Sequence, residues 1–205
     1  MGKLVGGVLS AFILAVATGG VGLAEEPKPP AQPALKVGQL APTFLLKALN
    51  PDKGGMALFS TKKVMGAKAK DRRQAVVMSF GASYCGPCKK ELPELHKIAK
   101  RYRDKGVLIV EIIVDKEPEG LESMRKFTME ELGLTFPVLH DRFGIVGRKY
   151  GAVELPHLVV LDGDKVVRWM HSGFTPDTMK KLAKTLDGVL AAGQPTKVNT
   201  PQKGR

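Results

Sequence analysis

Two cysteines that lie two residues apart are the residues best suited to chemistry in this chain. Cys85 and Cys88 are the only cysteines among its 205 residues, and Gly86-Pro87 separates them. An apolar, strand-forming run precedes the pair, and a run rich in Lys, Glu, Leu and Ala, which favours helix, follows it. Cys85 is therefore expected at a helix N-terminus, where free N–H groups and the helix dipole stabilise a thiolate. The pattern predicts a reactive dithiol.

Strands and helices alternate along the part of the chain that carries this pair. Continuous apolar runs at residues 75–80 and 107–114 predict buried strands, and the helix that starts at the cysteines is expected to span residues 86–103. Further strands are predicted at 43–46, 56–59, 158–161 and 166–169, and further helices at 120–132, at 141–150 and from a Thr175 cap to about residue 192. This order predicts an α/β fold with a central mixed sheet flanked by helices. The dithiol is then expected at the carboxyl end of a central strand.

The two ends of the chain differ in composition from this central part. Residues 1–24 carry one charge, Lys3, around an apolar centre, and the small residues Gly22 and Ala24 precede an acidic pair. This pattern is typical of a signal peptide with its cleavage site, although about 20 apolar residues can also serve as a membrane anchor. Either way, the domain is expected outside the cytoplasm, in the periplasm or an equivalent compartment. The predicted segments are a signal peptide or anchor (1–24), a Pro-rich linker (25–36), the domain (37–192) and a disordered basic tail (193–205).

Export raises the alternative that the two cysteines form an inert structural disulfide. Exported proteins with an even number of cysteines usually use them in this way. A bridge that closes so short a loop restrains the unfolded chain very little, however, because the entropic stabilisation grows with loop length. We therefore favour a redox role, in which Cys85 and Cys88 alternate between two thiols and a disulfide.

The basic character of the chain does not indicate a nucleic-acid partner. The formal net charge is +12, but the basic residues are scattered. Their densest cluster, within residues 62–73, contains no aromatic side chain on which a base could stack. We interpret this cluster as a solvated loop.

Four short motifs extend over most of the predicted domain. Residues 38–44 fit G-x-x-A-P-x-F, 80–93 are similar to F-W-A-T-W-C-x-P-C-x-x-E-x-P, 136–141 fit F-P-V-x-x-D, and 150–156 keep the spacing of Y-x-V-x-x-x-P. Together these motifs resemble the thioredoxin superfamily and, within it, the exported TlpA/ResA-like thiol–disulfide oxidoreductases. Gly81 and Tyr84 stand where that family usually has tryptophans, and Ser79 stands where cytoplasmic thioredoxins carry a buried aspartate.

The resemblance implies a thioredoxin-like fold with an N-terminal β-hairpin extension, and it assigns roles to the cysteines and their neighbours. Cys85 is the expected nucleophile, and Cys88 is the less exposed thiol that resolves the mixed disulfide. Glu91 is expected to tune the thiol pKa values or to relay a proton to Cys88; the alternative is a solvated glutamate among lysines. His157 is expected near the dithiol.

The resemblance also implies a surface that binds the substrate chain. Pro156 is expected to be cis and to face the dithiol, with the backbone of Leu155 pairing with the substrate; the alternative is an ordinary trans proline at a strand start. Tyr84, Gly86 and Pro87 are expected to complete this surface. No cofactor and no metal site are expected.

The predicted function is the reduction of disulfides in exported proteins, with cytochrome c maturation or copper-site assembly as the biological context. Electrons are expected to come from a membrane thiol carrier, and the protein is expected to be a monomer that the N-terminus can tether to the membrane. One alternative is a metallochaperone that binds Cu(I) through both cysteines and a histidine. Another is a thiol peroxidase, which is disfavoured because Met78 and Ala82 stand where P-x-x-x-[TS]-x-x-C requires Pro and Thr or Ser.

Overall fold

The computed structural model describes residues 35–193, which form two sheets and six α-helices. The strands are β1 (Leu45–Lys47), β2 (Leu58–Ser60), β3 (Ala75–Gly81), β4 (Val107–Ile113), β5 (Val138–His140), β6 (His157–Asp162) and β7 (Val167–Ser172). The helices are α1 (Pro51–Gly54), α2 (Thr61–Val64), α3 (Gly86–Tyr102), α4 (Pro118–Arg125), α5 (Ile145–Tyr150) and α6 (Thr178–Gly193). The larger sheet has the order β5-β4-β3-β6-β7 and is mixed, since β3, β4 and β5 run parallel while β6 and β7 are antiparallel to their neighbours.

The strand that leads to the cysteines, β3, is the centre of this sheet. All of its residues are buried, as expected for an apolar strand covered on both faces. Side chains alternate between the two faces. Ala75 and Val77 join the core cluster that contains α3 and α6, whereas Val76 and Met78 join the cluster that contains α5. Ser79 and Gly81 therefore face α3.

The neighbouring strand β4 runs parallel to β3 with a continuous register. Ser79 lies opposite Glu111, and Gly81 lies opposite Ile113. Ile109 and Ile113 belong to the α3-side core cluster, so Glu111, which lies midway between them, points to that same face. The register thus places the one charged residue of β4 beside the strand end that carries the dithiol.

The predicted thioredoxin-like α/β fold and its N-terminal hairpin are confirmed. β1 and β2 pair antiparallel, with Leu46 opposite Phe59.

Two expected helices are shorter than predicted. α4 ends at Arg125 and continues as a π-helical turn over Lys126–Glu131, where the Thr128 hydroxyl donates to the Met124 carbonyl at 2.7 Å. That bond competes for the carbonyl that an α-helical N–H would use.

The second shortened helix is α5. Asp141 was expected inside it but precedes it, because its carboxylate accepts hydrogen bonds from the N–H groups of Ile145 and Gly147, at 3.0 and 2.8 Å. Gly144 then starts the helix with a positive φ of 60°. A short helix, α1, lies between β1 and β2.

The predicted signal peptide or anchor, most of the predicted linker and nearly all of the predicted basic tail lie outside the described residues. Within residues 35–193, none of the helices has the length and apolar character needed to cross a membrane.

Candidate redox site

The two cysteines lie at the start of α3 and are joined by a disulfide bond. Cys85 occupies the N-cap position, and the backbone N–H of Cys88 donates a hydrogen bond to Cys85 Sγ at 3.1 Å. Cys85 keeps 6% of its accessible surface and Cys88 keeps 2%. A donor directed at Cys85 Sγ from the helix start favours negative charge on that sulfur. Both cysteines are thus largely buried, and Cys85 is the more accessible of the two.

A buried aspartate that the sequence analysis missed holds the loop before the dithiol. Asp115 follows β4 and is 4% exposed. Its carboxylate accepts hydrogen bonds from the backbone N–H and the hydroxyl of Ser83, at 2.9 and 2.6 Å. The backbone carbonyl of Asp115 is in turn 2.8 Å from His140 Nε2. These bonds join the ends of β3, β4 and β5 and position the chain two residues before Cys85.

The Leu155–Pro156 peptide bond is cis, as the resemblance implies. β6 begins with His157, which lies opposite Phe80 near the carboxyl end of β3. Pro156 is therefore held, buried, at the sheet edge from which the chain continues to Cys85. Leu155 is half-buried and contacts the α5-side core cluster.

The residues predicted to contact a substrate form part of the exposed surface. Tyr84 keeps 76% of its accessible surface, and Gly86 and Pro87 are also exposed. Val153, which precedes Leu155 by two residues, is 90% exposed and was not predicted.

Glu91 is buried on the inner face of α3. It is 1% exposed, and its Oε1 accepts a hydrogen bond from Ser79 Oγ at 3.3 Å. The alternative of a solvated glutamate is therefore wrong. Burial raises the pKa of Glu91 to about 8, and the Ser79 hydroxyl only partly offsets this rise.

Glu111 is a second buried carboxyl group beside the dithiol, and the sequence analysis missed it. It is fully buried on β4, and burial, together with the charge of Glu91, raises its pKa to about 8. The absence of a side chain at Gly81 makes room for it. A Cβ atom at Gly81 would lie 2.6 Å from Glu111 Oε1 and 3.6 Å from Cys88 Sγ. The only sequence signal was a lone charge in an otherwise apolar strand.

His157 lies on the α5 face of the sheet, the face opposite to Ser79 and Gly81. Its ring is tilted by 49° to the Phe80 ring, with the centroids 6.0 Å apart, on the side of the α5 core cluster. Both ring nitrogens have partners: Nδ1 is 2.9 Å from Ser172 Oγ, and Nε2 is 3.1 Å from the Tyr150 carbonyl oxygen. Burial lowers the pKa of His157.

Among residues 35–193, no three His, Cys, Asp or Glu side chains are grouped in a way that would hold a metal ion.

Comparison with known proteins identifies a matching family and several similar proteins. Residues 37–170 match the AhpC/TSA family. The chain is 30% identical over 153 residues to the thioredoxin-like protein YneN of Bacillus subtilis, covering 75% of this chain and 80% of YneN. It is 26% identical over 153 residues to the thiol-disulfide oxidoreductase ResA of Bacillus thuringiensis, covering 74% and 79% of the two chains.

Two solved structures share the fold. A Chlorobium tepidum protein classed as a thiol:disulfide interchange protein DsbE superposes with a TM-score of 0.63 at 24% identity, covering 77% of this chain and 99% of that one. StoA from Bacillus subtilis superposes with a TM-score of 0.56 at 21% identity, covering 75% and 99%.

Proposed function

Because the chain belongs to the AhpC/TSA family and is a thiol–disulfide oxidoreductase of the ResA and DsbE type, we propose that it reduces disulfide bonds in exported proteins. Apo-cytochromes c awaiting haem and copper-site proteins of respiratory oxidases are the proposed clients. The observation that carries this proposal is the Cys85–Cys88 disulfide at the start of α3, with its N–H donor to Cys85 Sγ.

The reaction follows from the different exposure of the two sulfurs. In the reduced protein, the Cys85 thiolate attacks a disulfide of the client and displaces one client sulfur, so that a mixed disulfide forms. Cys88 then attacks Cys85 Sγ, and the second client sulfur leaves. The two cysteines lose two electrons, which the client gains. A membrane thiol carrier is the proposed electron donor that reduces the Cys85–Cys88 disulfide again.

The surface around the dithiol supports the binding of an extended client chain. In the proposed complex, the backbone of Leu155, directly before cis-Pro156, pairs with the client. Tyr84, Gly86 and Pro87 are exposed next to Cys85 and contact the client side chains that flank its cysteine. Backbone pairing accepts many client sequences, while the exposed side chains select among them.

The proposed location is outside the cytoplasm, with the protein either cleaved near Ala24 or tethered by its N-terminus. The charge-poor composition of residues 1–24 supports this proposal. In such a compartment, exposed thiols become oxidised, so a reducing protein depends on electrons that arrive across the membrane.

The test is to trap clients with Cys88→Ser in the native host. This variant keeps the attacking Cys85 but cannot resolve the mixed disulfide, so clients stay covalently bound and are released by reductant. We expect exported proteins with paired cysteines, and the matched control Cys85→Ser/Cys88→Ser captures none of them. A trapped set made up of cytoplasmic proteins, or a wild-type protein whose resting dithiol is fully oxidised in the host, would contradict the proposal.

A further inference from the structure

Glu111 of β4 and Cys88 in the first turn of α3 both lie against the point where a Cβ atom of Gly81 would stand. Cys88 Sγ is 3.6 Å from this point and Glu111 Oε1 is 2.6 Å from it. Ser79 lies opposite Glu111 in the β3–β4 register and donates its hydroxyl to Glu91. The Cys88 sulfur therefore lies close to the Glu111 carboxyl group, and Ser79 connects this position to Glu91.

The hydrogen bonding of these carboxyl groups does not suit a purely structural role. Within residues 35–193, both oxygens of Glu111 and Oε2 of Glu91 are buried without a hydrogen-bond partner. Each such atom lowers the stability of the fold, because it has lost its contacts with water and gained no partner in exchange. Buried polar atoms in native proteins are nearly always satisfied, so an unsatisfied cluster beside reactive atoms calls for a functional explanation.

We propose that Glu111, with Glu91, exchanges a proton with Cys88 during disulfide exchange. Cytoplasmic thioredoxins carry a buried aspartate at the position of Ser79 on β3. In this chain, the carboxyl group of Glu111 on β4 supplies the proton acceptor that the serine cannot provide. The proposal concerns the dithiol itself and does not depend on which client it reduces.

The proton and the electrons move in a balanced way. In the mixed disulfide, the Cys88 thiol gives its proton to the Glu111 carboxylate, and the resulting thiolate attacks Cys85 Sγ. The new Cys85–Cys88 bond forms as the bond from Cys85 to the client breaks, and the client sulfur leaves with the electron pair and takes a proton from solvent. When a donor thiolate later attacks Cys85 Sγ, Cys88 leaves as a thiolate and Glu111 returns the proton.

The surroundings of Glu111 favour this exchange. Its strand neighbours, Ser79 and Val138, are uncharged, and the described groups that bear on it from α3 are Glu91 and Cys88. Burial and the nearby Glu91 raise its pKa to about 8, so that it is mostly protonated near neutral pH and still gives a reactive carboxylate fraction. Two carboxyl groups this close share a proton more readily than they both ionise.

The test uses Ellman's reagent, which the reduced protein consumes in two steps that stopped-flow absorbance resolves. Cys85 reacts first, and Cys88 then resolves the mixed disulfide and releases a second thionitrobenzoate. At about pH 7, we expect Glu111→Gln to slow the second step at least about tenfold, because it loses its base. The first step is expected to stay within about twofold, and the second step recovers at high pH as hydroxide deprotonates Cys88.

Two further variants separate proton transfer from a structural effect. Glu94→Gln removes a carboxyl group from the outer side of α3, where Glu94 pairs with Lys97, and leaves both steps unchanged. Ser79→Asp, added to Glu111→Gln, supplies a carboxylate from the paired position on β3 and restores the second step. An unchanged second step in Glu111→Gln overturns the proposal. So does a slowing of both steps alike, or a slowing that neither high pH nor Ser79→Asp relieves.

Discussion

The two faces of the central sheet differ in how well their buried polar groups near the dithiol are hydrogen-bonded. On the α5 face, both ring nitrogens of His157 have hydrogen-bond partners, and the Tyr150 hydroxyl donates to the Pro42 carbonyl at 2.6 Å. On the α3 face, the described residues provide the carboxyl groups of Glu91 and Glu111 with one hydrogen bond, from Ser79 to Glu91. The first set joins β6, β7 and α5, whereas the second leaves three buried carboxyl oxygens without a partner near Cys88.

This difference gives the two faces opposite responses to pH. The carboxyl groups have raised pKa values, so their neutral forms are the ones that folding favours. His157 has a lowered pKa, so its neutral form is also favoured, but its charged form appears on the acid side. Stability is therefore expected to fall in both directions away from a maximum on the acid side of neutral pH.

The largest expected effect is the loss of stability as pH rises. Between the ordinary carboxyl pKa of 4.5 and the raised value of about 8, the unfolded chain binds fewer protons than the folded chain, so the free energy of unfolding falls. Each carboxyl group contributes a slope of up to about 1.4 kcal/mol per pH unit. Urea titrations across this range will show a flatter profile for Glu111→Gln.

In the same titrations, Glu94→Gln is the matched control and keeps the wild-type slope, since Glu94 is solvated. A Glu111→Gln profile that coincides with the wild-type profile would mean that Glu111 does not hold a proton in the folded state.

A smaller effect is expected from Gly81→Ala, which tests how closely the α3 face is filled. The added Cβ would stand 2.6 Å from Glu111 Oε1 and 3.4 Å from Cys88 Cβ. We expect a loss of about 1–3 kcal/mol in the free energy of unfolding, as for other overpacked sites. Combined with Glu111→Ala, the same change should cost much less, and a double-mutant cycle measures this coupling. Additive costs would show that the two residues do not compete for space.

The smallest effect is expected on the α5 face. His157→Gln removes the ring whose nitrogens contact Ser172 and Tyr150, and should cost about 1 kcal/mol in the free energy of unfolding. Because the pKa of His157 is lowered, its contribution to stability is present above pH 6.5 and is lost as pH falls through the folded pKa, so the variant should decline less steeply on the acid side. Stopped-flow resolution by Cys88 should be unaffected; a clear slowing would show that both faces serve the dithiol.

The sequence could predict the individual strands and helices, because each depends on the residue types within a short stretch of chain. Apolar runs identified β3 and β4, and the change from strand to helix formers placed Cys85 at the start of α3. The partners of these elements depend on strand register, which single-sequence periodicity does not contain. Glu111 therefore appeared only as a charge within a strand, and its position opposite Ser79 became visible with the fold. The face that His157 occupies could likewise not be predicted, because adjacency to Pro156 does not determine which face a strand residue occupies.

The glycine at position 81 also has a consequence for how such proteins diversify. A large side chain at position 81 and a glutamate at position 111 would occupy the same volume. A large residue can therefore replace Gly81 without loss of stability only if Glu111 is also replaced by a smaller residue. Relatives with tryptophan at the position of Gly81 are thus expected to carry a small or apolar residue at the position of Glu111. The two positions should covary across homologues although they are 30 residues apart in the chain.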